Sequence, residues 1–164
     1  NKEKKFIQKN YNKNLFNENE VLQNINIFKD IRFEMLHRDL HPHNILIYKD
    51  KASLLDLDSV LPTKWPIAYG FACFKLLRQF CVNYQVNEKN IRLMRNFIDL
   101  IVGSLDTNLE NYKILFLGAK VEILRRILII MEENLKNKSS LWNPVLKIQI
   151  RALDEVIFLE NKLI

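Results

Sequence analysis

A short polar segment in the first third of the chain carries histidine, arginine, aspartate and asparagine side chains that could do chemistry together. It reads His37-Arg38-Asp39-Leu40-His41-Pro42-His43-Asn44, so that Asn44 follows Asp39 by five positions. A second acidic segment, Leu54-Leu55-Asp56-Leu57-Asp58, places Asp56 twelve positions after Asn44. The transition state of phosphoryl transfer spreads charge over the phosphate oxygens, and catalysis depends on orienting the attacking hydroxyl and neutralising that charge. Two carboxylates and an amide can divide these tasks.

The division of tasks follows from the chemistry of each group. Asp39, at the tip of the loop, can accept the proton of an acceptor hydroxyl and orient it. Asp56 can bind the magnesium ion that bridges phosphate oxygens, and Asn44 can add a neutral oxygen to the same ion. Hard cations prefer oxygen ligands, and magnesium typically takes only one or two protein carboxylates. The sequence therefore predicts a base and a metal site on two neighbouring segments.

A β-hairpin is the element expected to bring the two segments together. Residues 44–48 are mostly bulky or β-branched and lead into a plausible turn at residues 49–51, after which residues 52–57 read as a second short strand. Asn44 opens the first strand and Asp56 closes the second. Antiparallel pairing should therefore bring both residues near one end of the hairpin.

The remainder of the chain has helical periodicity. Apolar residues recur at spacings of three and four, and the 164 residues include only 3 Gly and 4 Pro, which favours helices over a many-turned β fold. We expect helices over residues 19–33, 67–82, 87–105, 108–137 (as one helix or two) and 144–163. The predicted fold class is α+β and mainly α, with one small hairpin and about four to six helices.

At the two chemical segments the chain resembles the aminoglycoside phosphotransferase and choline kinase superfamily of small-molecule phosphotransferases. Family members carry His-Gly-Asp-Leu-His-Pro-Gly-Asn-Ile-Leu followed by Ile-Asp-Phe-Asp, which corresponds to residues 37–46 and 55–58 of this chain. Protein kinases share the His-Arg-Asp…Asn spacing, but they carry Asp-Phe-Gly in the metal segment. This chain has Asp56-Leu57-Asp58 there, which disfavours the alternative of a protein kinase lobe.

The resemblance implies a role for each residue that matches the family pattern. Asp39 would be the catalytic base and His37 would hold the loop. Asn44 and Asp56 would bind Mg²⁺ and through it the nucleotide, ATP or GTP, with Asp58 as a further metal ligand. The resemblance also implies a two-lobed, kinase-like fold, and an acceptor such as an aminoglycoside, an amino alcohol or a sugar.

The chain departs from the family pattern at several points. Arg38 and His43 replace two common glycines, which should make the loop stiffer and more crowded, and no acid lies near positions 69–72, where family members often carry Asp. The 36 residues before His37 include no glycine, so they cannot form a Gly-rich phosphate loop. We therefore expect residues 1–164 to form a kinase-like C-terminal catalytic lobe, with the N-terminal nucleotide lobe absent or separate. The alternative is a non-catalytic pseudoenzyme or a partner-binding module.

Composition restricts the other function classes. The net charge of +6 is compatible with anionic partners, but no compact basic block with interleaved aromatic residues predicts a nucleic-acid interface. Cys73 and Cys81 would lie about 12 Å apart along one helix, too far to form a disulfide bond. Such thiols are typical of a reduced compartment, so a cytoplasmic location is expected. Neither a signal peptide nor an apolar run of spanning length is evident, so no membrane partner is expected.

Three further groups have two interpretations each. The histidines of the loop could bind zinc, but a zinc site usually needs a further ligand and a defined geometry. Aromatic residues at helical spacing could line an acceptor pocket, although such residues are more often core; they are Trp65, Phe71, Phe74 and Phe80. Two acidic pairs could face a cationic acceptor or lie on solvated helix surfaces; they are Glu132-Glu133 and Asp154-Glu155.

Overall fold

A computed structural model of the chain describes residues 26–81, 86–104, 112–137 and 141–164, apart from the side chains of Phe80 and Ser104. Within these ranges the fold is mainly helical, with four α-helices and two small antiparallel sheets. The strands are β1 (Phe33–His37), β2 (Ile45–Tyr48), β3 (Lys51–Leu54) and β4 (Val60–Lys64). The helices are α1 (Trp65–Leu77), α2 (Glu88–Ser104), α3 (Tyr112–Lys136) and α4 (Asn143–Leu163).

The strands form two nested pairs around the chemical segments. In the outer pair, β1 lies against β4 with His37 opposite Val60. In the inner hairpin, β2 lies against β3 with Ile45 opposite Leu54. The loop at residues 38–44 connects β1 to β2, and the acidic segment at residues 55–59 connects β3 to β4. The strand pairing therefore brings residues 38–44 and 55–59 next to each other.

The helices supply the core. Buried apolar side chains from all four helices form one cluster, and α3 and α4 contribute the largest share; examples are Leu77, Met94, Ile123 and Leu159. Both α1 and α4 carry a proline in the first turn, where the missing N–H has no helical partner to lose. Within the described ranges no helix is both long enough and apolar enough to cross a membrane.

Two glycines set the close approach between α1 and α3. A Cβ atom added at Gly118 would lie 1.8 Å from the carbonyl oxygen of Pro66, and one added at Gly70 would lie 2.1 Å from the carbonyl oxygen of Leu115. Both obstacles are backbone atoms, so no side-chain rotation can relieve the overlap. The absence of a Cβ at these positions allows α3 to pack closely against α1.

Gly118→Ala should therefore destabilise the fold by about 3 kcal/mol, at the upper end of the cost of overpacking a core. The free energy of unfolding, measured with urea, tests this expectation. Gly103→Ala is a matched control in α2, because a Cβ there meets nothing within 4 Å. Alanine also has a better helix propensity than glycine by up to about 1 kcal/mol. Similar stability changes in the two variants would contradict the close packing of α1 on α3.

The sequence located the hairpin and all four helices, but one predicted helix is wrong and one strand pair was not predicted. The hairpin is confirmed with a shorter second strand, because β3 ends at Leu54 and not at residue 57, and each helix begins within a few residues of its predicted start. The helix predicted over residues 19–33 is wrong in its described part, where Asn26–Phe28 forms one 3-10 turn and Phe33 begins β1; residues 19–25 lie outside the described ranges. The outer strand pair was not predicted. Its second strand contains Pro62, which weakens the local strand signal because proline cannot donate to a sheet.

Candidate active site

His37 connects the loop to the acidic segment. It is the last residue of β1 and is 8% exposed. Its Nδ1 accepts a hydrogen bond from the backbone N–H of Asp39 at 3.2 Å, and its Nε2 lies 2.9 Å from the carbonyl oxygen of Leu55. Since Nδ1 accepts, the neutral ring carries its proton on Nε2 and donates it to Leu55. The imidazole thereby fixes the backbone of Asp39 to Leu55, the residue that precedes Asp56.

Asn44 makes a second connection between the same segments. Its side-chain Nδ2 donates to the backbone carbonyl of Asp39 at 2.9 Å, and its own carbonyl accepts from the N–H of Leu55 at 2.9 Å. Because the amide nitrogen is engaged with the loop, the side-chain oxygen Oδ1 is left as an acceptor for another group. Asn44 and Asp56 therefore lie on adjacent backbone segments at the same end of the hairpin.

Asp56 has an uncommon backbone conformation. Its φ of 57° and ψ of 52° lie in the left-handed region. Aspartate tolerates this region better than most residues, but the conformation is less favourable for aspartate than for glycine. The side chain is exposed, and its Oδ2 accepts a hydrogen bond from the Ser59 hydroxyl at 2.7 Å. Such conformations are retained where the surrounding structure enforces them, and they are common at functional sites.

Asn44 and Asp56 carry the kinds of oxygen atom that a magnesium ion prefers. Together they offer an amide oxygen and a carboxylate oxygen, and magnesium usually completes its shell with water and phosphate oxygens. Across the described part of the chain, no group of three or more His, Cys, Asp or Glu side chains could hold a metal ion. That finding disfavours the zinc alternative, as does His37, whose two ring nitrogens are already engaged with Asp39 and Leu55.

The carboxylate of Asp39 is held by an arginine from α3. Arg126 Nη2 donates to Asp39 Oδ1 at 3.0 Å, and the Arg126 guanidinium stacks over the Phe71 ring at 4.3 Å. The other oxygen, Oδ2, lies 3.7 Å from His41 Nε2, which is too long for a hydrogen bond. Burial lowers the pKa of His41, although Asp39 acts in the opposite direction. The neutral ring therefore leaves Oδ2 as the more available oxygen of the carboxylate.

A buried glutamate organises the arginines around this site. Glu122 is fully buried, and three arginines surround it: Arg38 at 2.8 Å, Arg125 at 2.6 Å and Arg126 at 2.9 Å. We call these four residues the Glu122 cluster. Burial alone would raise the pKa of Glu122, but hydrogen bonds from Arg125 and Arg38 and the charge of Arg126 outweigh it and hold the pKa below its ordinary value.

The predicted site residues fall into two adjacent groups. Asp39 and Asp58 line a shallow cavity of about 390 Å³ together with Arg38, Arg125 and Arg126. Asp56 does not line that cavity and lies with Asn44 at the end of the hairpin. Asn44 links the groups through its bond to the Asp39 carbonyl. Asp39 and Asp58 therefore line the same cavity, whereas Asn44 and Asp56 lie on two backbone segments that are joined by the Leu55–Asn44 hydrogen bond.

Sequence reasoning did not assign Glu122 and Arg126 to the site. Their only sequence signal is that they interrupt an otherwise apolar helix. The aromatic residues of α1 are core or packed against it, with Phe71 and Phe74 buried, and the side chain of Phe80 lies outside the described residues. Of the acidic pairs, Glu132 is exposed and paired with Lys136, whereas the side chain of Glu155 is only 13% exposed.

Comparisons with protein-family models, with curated proteins and with solved structures found no match to this chain. The resemblance to small-molecule phosphotransferases therefore rests on the sequence of residues 37–46 and 55–58.

Proposed function

We propose that this chain forms the catalytic lobe of a kinase-like phosphotransferase that uses ATP or GTP and Mg²⁺ to phosphorylate a hydroxyl of a small molecule. The observation that carries the proposal is the junction between the loop at residues 37–44 and the acidic segment at residues 54–58. Asn44 donates to the Asp39 carbonyl and accepts from Leu55, and His37 contacts both Asp39 and Leu55. The junction holds the backbone of Asp39 beside the acidic segment that carries Asp56.

The residues divide the reaction as follows. The acceptor hydroxyl hydrogen-bonds to Asp39 Oδ2, while Arg126 fixes Oδ1 and so sets the direction of the carboxylate. The hydroxyl oxygen attacks the γ-phosphorus, its bond to phosphorus forms as the bond to the β,γ-bridging oxygen breaks, and the proton passes to Asp39. The nucleoside diphosphate leaves with the electrons of the broken bond. Asn44 Oδ1 and the Asp56 carboxylate would hold Mg²⁺, which neutralises charge on the phosphate oxygens when bound.

The direct test is transfer of labelled γ-phosphate from ATP or GTP by the full-length protein, in the presence of Mg²⁺, to a panel of small hydroxyl compounds. Product that carries the label supports the proposal. Nucleotide turnover that does not depend on any acceptor, or no transfer to any member of the panel, would count against it.

Asp56→Asn should weaken binding of Mn²⁺, used as a spectroscopic substitute for Mg²⁺, by about tenfold or more, because Asp56 supplies the charged oxygen of its pair with Asn44 and asparagine is neutral. Electron paramagnetic resonance of the full-length protein with nucleotide measures the free Mn²⁺ directly. Asp50→Asn is a matched control, since Asp50 lies in the turn at the opposite end of the hairpin. Equal affinities in the two variants would remove Asp56 from the metal site.

A non-catalytic binding module is the second candidate. Two observations favour it: Asp39 already forms an ion pair with Arg126, and Asp56 does not line the cavity that holds Asp39. In such a module the carboxylate would serve only to fix the loop. The two candidates can be distinguished by phosphate transfer. The enzyme should lose transfer when Asp39 is changed, whereas a binding module should show no transfer before or after the change and should keep its affinity for its partner.

A further inference from the structure

A second cavity lies beside the loop, on the His41 side of the proposed base. It has a volume of about 560 Å³ and is bordered by His41 and His43 of the loop, by the C-terminal end of α1 and by α4. That volume is within the range of sites for small molecules. His41 Nε2, which faces Asp39 Oδ2 at 3.7 Å, belongs to its wall. Asp39 itself lines the other cavity, so a molecule bound here would present its hydroxyl to Asp39 past the His41 ring.

The charged groups of this cavity are predominantly positive. Its lining includes Lys75, Arg78 and Arg151 and a single carboxylate, Glu155. Both arginines are directed at that carboxylate: Arg78 Nη2 lies 2.6 Å from Glu155 Oε2, and Arg151 Nε donates to Oε1 at 2.9 Å. Three positive groups against one negative group give the lining a formal charge of +2 when Lys75 is protonated. We call it the cationic cavity.

Lys75 is the group that a ligand can engage most directly. Within the described part of the chain, Lys75 forms no ion pair with a carboxylate, and its ammonium lies over the Phe71 ring at 5.5 Å. Burial lowers the pKa of Lys75, while the more distant Asp39 acts in the opposite direction. An anion bound beside Lys75 would favour its charged form and would replace the hydration that burial removes.

We propose that the cationic cavity binds the phosphate acceptor, and that this acceptor is a small hydroxyl compound that carries a carboxylate or phosphate group. The inference rests on the proposed phosphotransferase function and narrows its substrate class. An aminoglycoside or amino alcohol would place positive charge beside Lys75, while the one carboxylate of the wall is already engaged with two arginines. The acidic pair that includes Glu155 is therefore not a receptor for a cationic acceptor.

Binding without nucleotide tests the ligand class independently of catalysis. The probes share one hexose skeleton and differ in charge: gluconate, glucose 6-phosphate, glucose and glucosamine. Isothermal titration calorimetry with the full-length protein should show at least one of the two anions binding about tenfold or more tightly than glucose, with glucosamine weakest. The preference should decrease as ionic strength rises, since salt screens charge interactions. The stronger anion identifies whether carboxylate or phosphate is recognised, and equal or tighter binding of glucosamine would overturn the inference.

Two charge-removing variants sharpen this test. Lys75→Gln should raise the Kd of the preferred anion about tenfold, whereas Lys147→Gln, the same change at an exposed position of α4 outside the cavity, should leave it unchanged. Glu155→Gln should strengthen anion binding, because it frees Arg78 and Arg151; loss of glucosamine binding instead would show a cation site. If Glu155→Gln does not fold by circular dichroism, the comparison of Lys75 with Lys147 decides.

Failure of this inference can be told apart from failure of the proposed function. Tight anion binding without phosphate transfer in the presence of Mg²⁺ and nucleotide would overturn the phosphotransferase assignment. Transfer to glucose or glucosamine with no preference for an anionic analogue would leave the phosphotransferase assignment intact and would overturn the acceptor class.

Discussion

Asp39→Asn should lower the rate of phosphate transfer by about 10²–10⁴-fold, the usual contribution of a positioned general base. Asparagine has the same shape and can still accept the hydrogen bond from Arg126 through its side-chain oxygen. It cannot take up the proton of the acceptor hydroxyl at the position of Oδ2, which Arg126 leaves free. The effect should therefore appear in kcat rather than in the affinity for nucleotide. Single-turnover transfer of labelled phosphate by the full-length protein measures it.

The control for this variant is Asp30→Asn, which removes one carboxylate from an exposed position outside the site. Its transfer rate should equal that of the unmodified protein, and both variants should have unchanged far-ultraviolet circular dichroism. An Asp39→Asn protein that retains transfer within tenfold of the original rate would exclude Asp39 as the base. That result would favour the binding-module candidate, in which the ion pair between Asp39 and Arg126 only fixes the loop.

Local signals in the sequence were sufficient for the elements that are stabilised locally. The hairpin was predictable because Ile45–Tyr48 consists of bulky residues with a turn directly after it, and the helices were predictable from apolar spacing. The outer strand pair was not, because it depends on contact between Phe33 and Lys64 across the whole intervening segment. Nothing near either residue in sequence records that pairing, and Pro62 argues against a strand.

The prediction of the candidate site has the same limit. Asp39, Asn44 and Asp56 are predicted site residues because all three lie within one short stretch of chain. Arg126 and Glu122 lie 87 and 83 positions beyond Asp39. They reach the site only because Gly70 and Gly118 allow α3 to lie against α1. Helix packing therefore brings Arg126 and Glu122 to Asp39. The local pattern of a single sequence does not specify that packing.

Arg38 has a structural role that the sequence did not predict. It occupies a position where the phosphotransferases that the loop resembles carry glycine, and the sequence predicted only a stiffer and more crowded loop. In the structure the Arg38 side chain crosses to α3 and binds Glu122 at 2.8 Å, and its backbone N–H donates to the Ser59 carbonyl at 2.9 Å. The loop is thus tied to the helix by the residue that breaks the pattern.

Glu122→Gln should destabilise the full-length protein by about 3 kcal/mol, because removing one partner of a buried ion pair leaves the other charges uncompensated. For a chain of this size such a loss lowers the melting temperature by about 6–12 °C. Calorimetry measures it. Transfer activity should also fall, since Arg126 is held in place by both Glu122 and Asp39. Glu132→Gln is the control on the same helix: Glu132 is exposed and pairs with Lys136 at the surface, so little change is expected.

The pH dependence of this difference separates charge loss from altered packing. The folded-state pKa of Glu122 lies below its ordinary value of 4.5, so the unfolded chain binds the proton first as pH falls. The stabilisation from Glu122 is therefore fully present above that value and is lost as pH drops toward the folded-state pKa. The stability gap between the original protein and Glu122→Gln should accordingly be constant near neutral pH and shrink below about pH 4.5. A gap that stays the same throughout acid titration would mean that the shape of the side chain, rather than its charge, holds Arg38 and Arg126 in place.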